Sequence, residues 1–349
     1  MQTRQRCLQM MRLAAVARVL VRSIGLFSAL WPPASLVVVG AADGEAFGEG
    51  LQGTLTKYGP LNAHTAFISG RAKKHVVLIG GLGDGLLFAK YIRNLDSAAN
   101  QSGWALVQPT LQSTLQGWGV GSLDHDADDL LTLAKHLKAE FRSEGMVLLG
   151  HSTGCQDAVR YVDLHAKALG AAPVAGVILQ AAISDRECLV NQDGFAQRLR
   201  HAEHMVKHGQ GEGILFTDGG VPVCARRFVA LASKGGDDDM FSADFTDQEF
   251  QKLLGHMAQT PTLLVLGGVD GCMPNALDLG KRMQQALGSK ADFAYIPEGV
   301  HDLSGSEEEF MAAVDPFVKQ CFGLASSSST SSGHKPFVLH SGREKPLLV

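Results

Sequence analysis

Short, fully apolar runs alternate with longer amphipathic stretches along most of this chain. His75–Ile79, Trp104–Gln108, Met146–Leu149, Ala175–Gln180, Thr262–Leu266 and Phe293–Ile296 are such runs, rich in Val, Ile and Leu. Brief apolar runs without alternation suit strands buried on both faces. Between them, helical periodicity predicts helices near Leu86–Asp96, from Ser122 to about Arg142, after Gly154, near Ala276–Leu287 and over Ser306–Phe322. Two earlier segments, Gly53–Tyr58 and His64–Ser69, alternate instead and are joined by Gly-Pro-Leu-Asn, which predicts an antiparallel hairpin. Strands alternating with helices predict an α/β fold, with a mostly parallel central sheet, helices on both faces and function at the strand ends.

Three regions break the rhythm. Residues 184–257 are polar and helical with glycine breaks, and an insertion of that kind sits over the strand ends as a cap. Its Asp237-Asp238-Asp239 run reads as a solvated or helix-capping turn. Residues 1–42 begin with an Arg-rich, acid-free stretch that suits organellar import. The uncharged Ser23–Ala42 stretch suits a signal or anchor instead, but Pro32-Pro33 argues against a stable spanning helix, and a disordered start is the alternative. The tail, 323–349, opens on Ser326–Thr330 and reads as disordered. The domain expected between these ends runs from 53 to 322.

Composition narrows the picture in two ways. The net charge of −4 gives no basic footprint for nucleic acid. Residues 1–42 hold five arginines, which leaves −9 on the remainder. The six cysteines lie far apart with no C-x-x-C, so they read as ordinary thiols in a reducing compartment, not staples or zinc ligands.

The chemistry concentrates where one apolar run, Met146–Leu149, meets Gly150-His151-Ser152-Thr153-Gly154 and a helical pattern follows at once. Strand, tight turn and helix with a serine at the tip predict a nucleophile elbow, whose flanking glycines let strand and helix nearly touch. Gly-x-Ser-x-Gly alone is weak evidence; the apolar strand before it and the helix after it give it weight. After the run His75–Ile79 comes Gly80-Gly81-Leu82-Gly83-Asp84-Gly85. It lacks the third glycine of a dinucleotide fingerprint and the Lys of a P-loop. In a serine hydrolase this loop supplies an oxyanion-hole N–H, with Leu82 the candidate donor beside Thr153.

That reading demands an acid after a later strand and then a histidine after the last one. Asp270 follows Leu263–Leu266, and His301 follows Phe293–Ile296. Glu298 and Asp302 stand as alternative carboxylates. His151 is too close to the turn to act as base and reads as packing beside it. The acids of Asp124-His125-Asp126-Ala127-Asp128-Asp129 fit a helix N-terminus and solvent better than a metal site. The expectation is a Ser152–His301–Asp270 serine esterase that needs no metal or organic cofactor and acts on a small-molecule ester. A lipid or thioester acyl hydrolase and a non-catalytic binding protein on the same fold remain as alternatives. Oligomeric state is left open.

Gly80–Gly85, Gly150–Asp157, Ser184–Glu187 and Asp238–Ser242 together resemble a poorly characterised α/β-hydrolase family that includes the fungal siderophore esterases. The resemblance spans roughly residues 53 to 322. It implies the α/β-hydrolase fold, with nucleophile at Ser152, acid at Asp270, base at His301, and a fusarinine-type hydroxamate ester as substrate. One departure is visible: the family's acid sits in an Asp-Glu-Tyr-Val-Pro-like turn, whereas this chain has Asp270-Gly271-Cys272-Met273-Pro274.

Overall fold

A computed structural model of the chain describes residues 50–273 and 275–324, together with the backbone of Phe337–Val338. The expected targeting segment, 1–42, lies outside the described residues, as does most of the expected tail.

Eleven strands are present among the described residues: β1 Thr54–Lys57, β2 Thr65–Ser69, β3 Lys74–Ile79, β4 Ala105–Thr110, β5 Gly145–His151, β6 Val174–Gln180, β7 Ile214–Asp218, β8 Val221–Cys224, β9 Thr262–Gly267, β10 Ala291–Ile296 and β11 Phe337–Val338. The α-helices are α1 Tyr91–Ser102, α2 Leu123–Glu140, α3 Gly154–His165, α4 Asp185–Leu189, α5 Phe195–Lys207, α6 Ala225–Ala232, α7 Asp247–Leu254, α8 Ala276–Leu287 and α9 Glu307–Phe322. Nine strands form one sheet in the order β1-β2-β4-β3-β5-β6-β9-β10-β11. β1, β2 and β4 pair antiparallel; from β4 to β11 every pairing is parallel.

The apolar runs alternate between two cores. Val77, Ile79, Leu148, Leu264 and Leu266 point into one, packed by α2, α3, α7 and α8. Val76, Leu78, Val147, Leu149, Leu263 and Val265 point into the other, under α1 and α9. An uninterrupted apolar run is what a strand covered on both sides requires. The chain leaves β3 for β4 on one side and returns to β5 on the other, so strand order reverses at β3. Loops diverge there and leave a crevice at the carboxyl ends of β3 and β5.

Four departures from the sequence reading have physical causes. The first helix begins at Tyr91 rather than Leu86, because Leu87 takes a left-handed conformation (φ 60°) and its amide donates to Gln108 Oε1 at 3.0 Å. Residues 184–257 contain α4 to α7 but also the hairpin β7–β8, turned by Gly219 and Gly220, both with positive φ. The Gly-Gly turn and its flanks, Ile214–Asp218 and Val221–Cys224, carry a hairpin signal that helical periodicity on either side obscures. Phe337–Val338, in the expected tail, adds β11 parallel to β10 and covers part of an open strand edge. Finally, Cys188 and Cys272 form a disulfide across a sequence separation of 84, with Cα atoms 5.1 Å apart. The reading of all six cysteines as free thiols therefore fails for these two. Sequence spacing carries no trace of a pair that only the fold brings together. Cys155, Cys224 and Cys321 are free thiols.

Candidate active site

Ser152 sits at the tip of the turn from β5 to α3, with φ of 53°. A left-handed conformation is costly for a residue with a Cβ and is held here by its surroundings. The Ser152 amide donates to Gln180 O at 3.0 Å, and the Ser152 carbonyl accepts from Cys155 N at 2.9 Å. The flanking glycines are required sterically. A Cβ on Gly150 would lie 2.3 Å from Gly154 O, and one on Gly154 would lie 2.4 Å from Ile79 O.

The other two sequence-predicted side chains converge on that serine. His301 Nε2 lies 3.1 Å from Ser152 Oγ, and His301 Nδ1 lies 2.7 Å from Asp270 Oδ2. The other Asp270 oxygen accepts from the Cys272 amide at 3.0 Å. The loops after β9 and β10 run against each other to make this meeting. Gly268 N donates to Ile296 O at 2.8 Å and Val269 N to Gly299 O at 2.9 Å. A Cβ on Gly267 would meet Gly299 O at 2.3 Å. The alternative acids lie elsewhere: Glu298 is exposed, and Asp302 turns to the Ser304 amide and hydroxyl at 3.0 and 2.7 Å.

Electrostatics follow the geometry. Burial works against protonation of His301, but the hydrogen bond and charge of Asp270 outweigh it and raise its pKa above the ordinary histidine value. Burial also raises Asp270, yet the His301 contact and the Cys272 amide outweigh it, so its carboxyl is held below the usual range. His151 stacks on Phe88, with ring centroids 5.0 Å apart, and burial lowers its pKa to about 4. It is a neutral packing group there, beside His301.

Leu82 and Thr153 both line the pocket next to Ser152. The Gly81 amide is taken by Asp84 Oδ2 at 2.7 Å, whereas no intramolecular acceptor holds the Leu82 or Thr153 amide among the described residues. Gly81 itself is crowded: a Cβ there would lie 2.7 Å from Ser152 Cβ.

Several residues that the sequence reading missed belong to this region. Gln180, fully buried at the end of β6, donates from Nε2 to His301 O at 2.9 Å and also bonds His151 Nδ1, tying the serine turn to the histidine loop. A polar residue closing an apolar strand was the available signal. Asp126, Asp157 and Arg227 line the same pocket as Leu82. Asp126 and Asp129, expected to face solvent, are buried. Asp129 accepts from the Gln112 amide at 2.8 Å and its side-chain amide at 2.9 Å, and pairs with His64 at 2.7 Å. In the Asp237–Asp239 turn only Asp237 is exposed. Asp238 pairs with Arg227 through two 2.7 Å contacts and Asp239 with Arg186 at 3.0 Å, both acids buried. Buried carboxylates find partners on elements distant in sequence, which local pattern cannot reveal. No cluster of three or more metal-ligating side chains occurs among the described residues. No helix among them is long and apolar enough to cross a membrane.

The reversed strand order at β3, the strained strand–turn–helix after β5 and the convergent loops after β9 and β10 define an α/β-hydrolase fold. Solved structures agree. A siderophore hydrolase, EstB, from Aspergillus fumigatus aligns with TM-score 0.64 at 23% identity, covering 78% of this chain and 100% of that one. An α/β-hydrolase-fold protein of unknown function aligns with TM-score 0.58 at 22% identity, covering 78% of this chain and 97% of that one. The chain belongs to the family described as "Protein of unknown function (DUF1749)", whose model matches residues 46–321. Curated relatives include the fusarinine C esterase sidJ of Aspergillus fumigatus, 28% identical over 68% of this chain and 85% of that protein. UPF0613 protein PB24D3.06c of Schizosaccharomyces pombe is 35% identical over 53% of this chain and 62% of its own length. The named relatives support an ester-cleaving hydrolase.

Proposed function

We propose that the chain is a serine esterase working through Ser152, His301 and Asp270. The observation that carries this reading is the unbroken contact chain from Ser152 Oγ through the His301 ring to Asp270, at the tip of a strained turn. With the proton of neutral His301 on Nδ1 and donated to Asp270, Nε2 is free to accept the Ser152 proton. Ser152 Oγ then attacks the ester carbonyl, and the amides of Leu82 and Thr153 donate to the oxyanion. Collapse expels the alcohol, protonated by His301, and leaves an acyl-enzyme. Water, deprotonated by the same imidazole, releases the acid. Asp270 fixes the tautomer and stabilises the imidazolium.

By relation to the sidJ esterase, the substrate class is an ester of the hydroxamate siderophore kind. The pocket beside Ser152 is small and mixed in lining, with Ser113, Asp126, Asp157 and Arg227 beside Leu82, Trp118 and Leu123. A hydrolase of long lipid acyl chains calls for a wide apolar pocket instead. The test is covalent labelling with a fluorophosphonate probe. The expected result is labelling of the wild-type protein at Ser152 and none in a folded Ser152→Ala variant, whose turnover falls by up to ~10⁶-fold. Normal labelling of that variant would overturn the assignment.

A further inference from the structure

His301 is carried by the loop between β10 and α9, not by a strand or helix. Its Nε2 must nevertheless keep its distance from Ser152 Oγ while a proton crosses between them. Asp270 holds the ring at Nδ1. Among the described residues one hydrogen bond reaches the His301 main chain, and it comes from Gln180, whose Nε2 donates to His301 O at 2.9 Å. Gln180 ends β6, between His151 at the end of β5 and Val265 in β9, and is fully buried.

The partners fix which way this amide lies. A carbonyl only accepts, so the group facing His301 O is the NH2, and the amide oxygen turns to Tyr91 and His151. The Tyr91 hydroxyl donates to Gln180 Oε1 at 3.3 Å. His151 Nδ1, 2.5 Å from the same oxygen, must then carry a proton. The His151 ring held in this way packs against the His301 ring, with centroids 5.0 Å apart. Gln180 therefore reaches His301 twice: directly at its main chain, and through His151 at its ring. Its own main chain completes the frame, because Gln180 O accepts from the Ser152 amide at 3.0 Å. An apolar residue could close β6 as well as the ones before it, and sheet packing alone gives no reason for a buried amide there. With both polar atoms of the side chain paired, the amide is held in one arrangement.

We propose that Gln180 is a positioning residue of the ester hydrolysis, whose side-chain amide clamps the His301 loop so that Nε2 stays in line with Ser152 Oγ. The proposal rests on the esterase reading above. The clamp acts on proton-transfer geometry and not on ester binding. Its loss should therefore appear in kcat and leave KM nearly unchanged.

Steady-state kinetics on 4-nitrophenyl acetate compare two variants. Gln180→Met is similar in length but has no N–H donor; Tyr91→Phe removes a contact to the same Gln180 oxygen and leaves His301 O bonded. Gln180→Met should lower kcat by about ten- to a hundredfold, with KM changed less than about twofold. Tyr91→Phe should keep kcat within about twofold, although both variants lose a buried hydrogen bond and some stability. A second readout needs no turnover. The low-field proton resonance of His301 Nδ1–H bonded to Asp270, identified by its absence in Asp270→Asn, should shift or broaden in Gln180→Met and stay in place in Tyr91→Phe. If Gln180→Met does not fold, Gln180→Glu replaces it under the same expectations above the pKa of the new acid, since a carboxylate keeps the shape and loses the donor. A wild-type protein that cleaves no ester fails the esterase reading; an unchanged resonance fails the clamp, with or without turnover. In an active enzyme the clamp is also overturned by a kcat within twofold of wild type, by a loss confined to KM, or by an equal loss of kcat in Tyr91→Phe.

Discussion

The central sheet and the segment 184–257 are held together by different physics. Within the sheet, strands such as β3 and β5 put a large apolar side chain into each core in alternation, and nearly every residue of β5, β6 and β9 is buried. The inserted segment has a small apolar cluster of its own, around Ala202, Val223, Phe228 and Ala232, while its last part sends Phe241, Phe250 and Leu254 into the first of the two sheet cores. Its earlier part, 184–239, is fastened by polar contacts: the buried Arg227–Asp238 pair within it, Arg227 donating to Trp118 O at 2.9 Å, Arg226 donating to Val120 O and Gly121 O at 3.0 and 3.1 Å, and the Cys188–Cys272 bridge. Apolar packing is non-directional and tolerant. A buried ion pair or a disulfide is specific, and fails sharply when one partner goes. The sheet and the apolar side chains packed on it are therefore expected to set the global stability of the described region, and the polar contacts to set how residues 184–239 meet the Ser152 pocket.

The largest expected effect leaves the fold alone and breaks the chemistry that the sheet presents. Asp270→Asn should lower kcat on an ester by roughly 10⁴-fold, through loss of the productive His301 tautomer. Glu298→Gln and Asp302→Asn should cost much less, since neither side chain bonds His301. Steady-state kinetics on the three variants decide it. A silent Asp270→Asn beside a crippling Asp302→Asn would mean that the carboxylate is wrongly chosen.

This contrast also explains what could be read from sequence. The strands were legible because burial on both faces leaves a continuous apolar run, and the serine turn because glycines must stand where Gly150 and Gly154 nearly touch. Asp270 and His301 were legible as the residues just past two such runs. The polar fastenings were not. Asp238 looks like one of three solvated acids until α6 brings Arg227 to it, and Cys188 and Cys272 are 84 residues apart. Asp157 sits in the run after the serine, but the burial of its Oδ1 without a hydrogen-bond partner among the described residues belongs to the fold alone.

Next in size, Arg227→Met should destabilise the protein by about 3–5 kcal/mol, because it leaves Asp238 buried and unpaired. Arg282→Met removes a half-exposed pair with Asp247 and a contact to Ala243 O, and should cost about 1 kcal/mol or less for the ion pair itself. Chemical denaturation of both variants tests the claim that buried polar contacts, not surface ones, hold the segment. Similar losses from the two would refute it.

Reduction of Cys188–Cys272 should act on both regions at once. Opening a bridge over this many residues removes about 2–4 kcal/mol by the usual effect of cross-links. The bridge also steadies the turn in which the Cys272 amide holds Asp270. A reductant should therefore lower Tm and also lower kcat, with the Cys188→Ser/Cys272→Ser double variant reproducing both. A drop in Tm with kcat untouched would confine the bridge to the fold.

The smallest expected effect is a displacement along the pH axis. In the proposed mechanism Ser152 is deprotonated only while His301 is neutral, so kcat/KM should rise with pH through the His301 ionisation and then level off. Burial would move that midpoint down; the Asp270 contact and charge move it up by more, so the midpoint should lie above the ordinary histidine value of about 6.5. His151 does not interfere, since its pKa of about 4 leaves it neutral over the whole rise. Asp270→Asn removes the raising contact and leaves burial unopposed. Residual activity of that variant should therefore show its midpoint at lower pH than the wild type. A pH profile on each protein, in buffers of constant ionic strength, measures it. A midpoint that stays fixed, or moves upward, would mean that Asp270 does not bear on the ionisation of His301 and that the pairing seen at 2.7 Å has no part in the reaction.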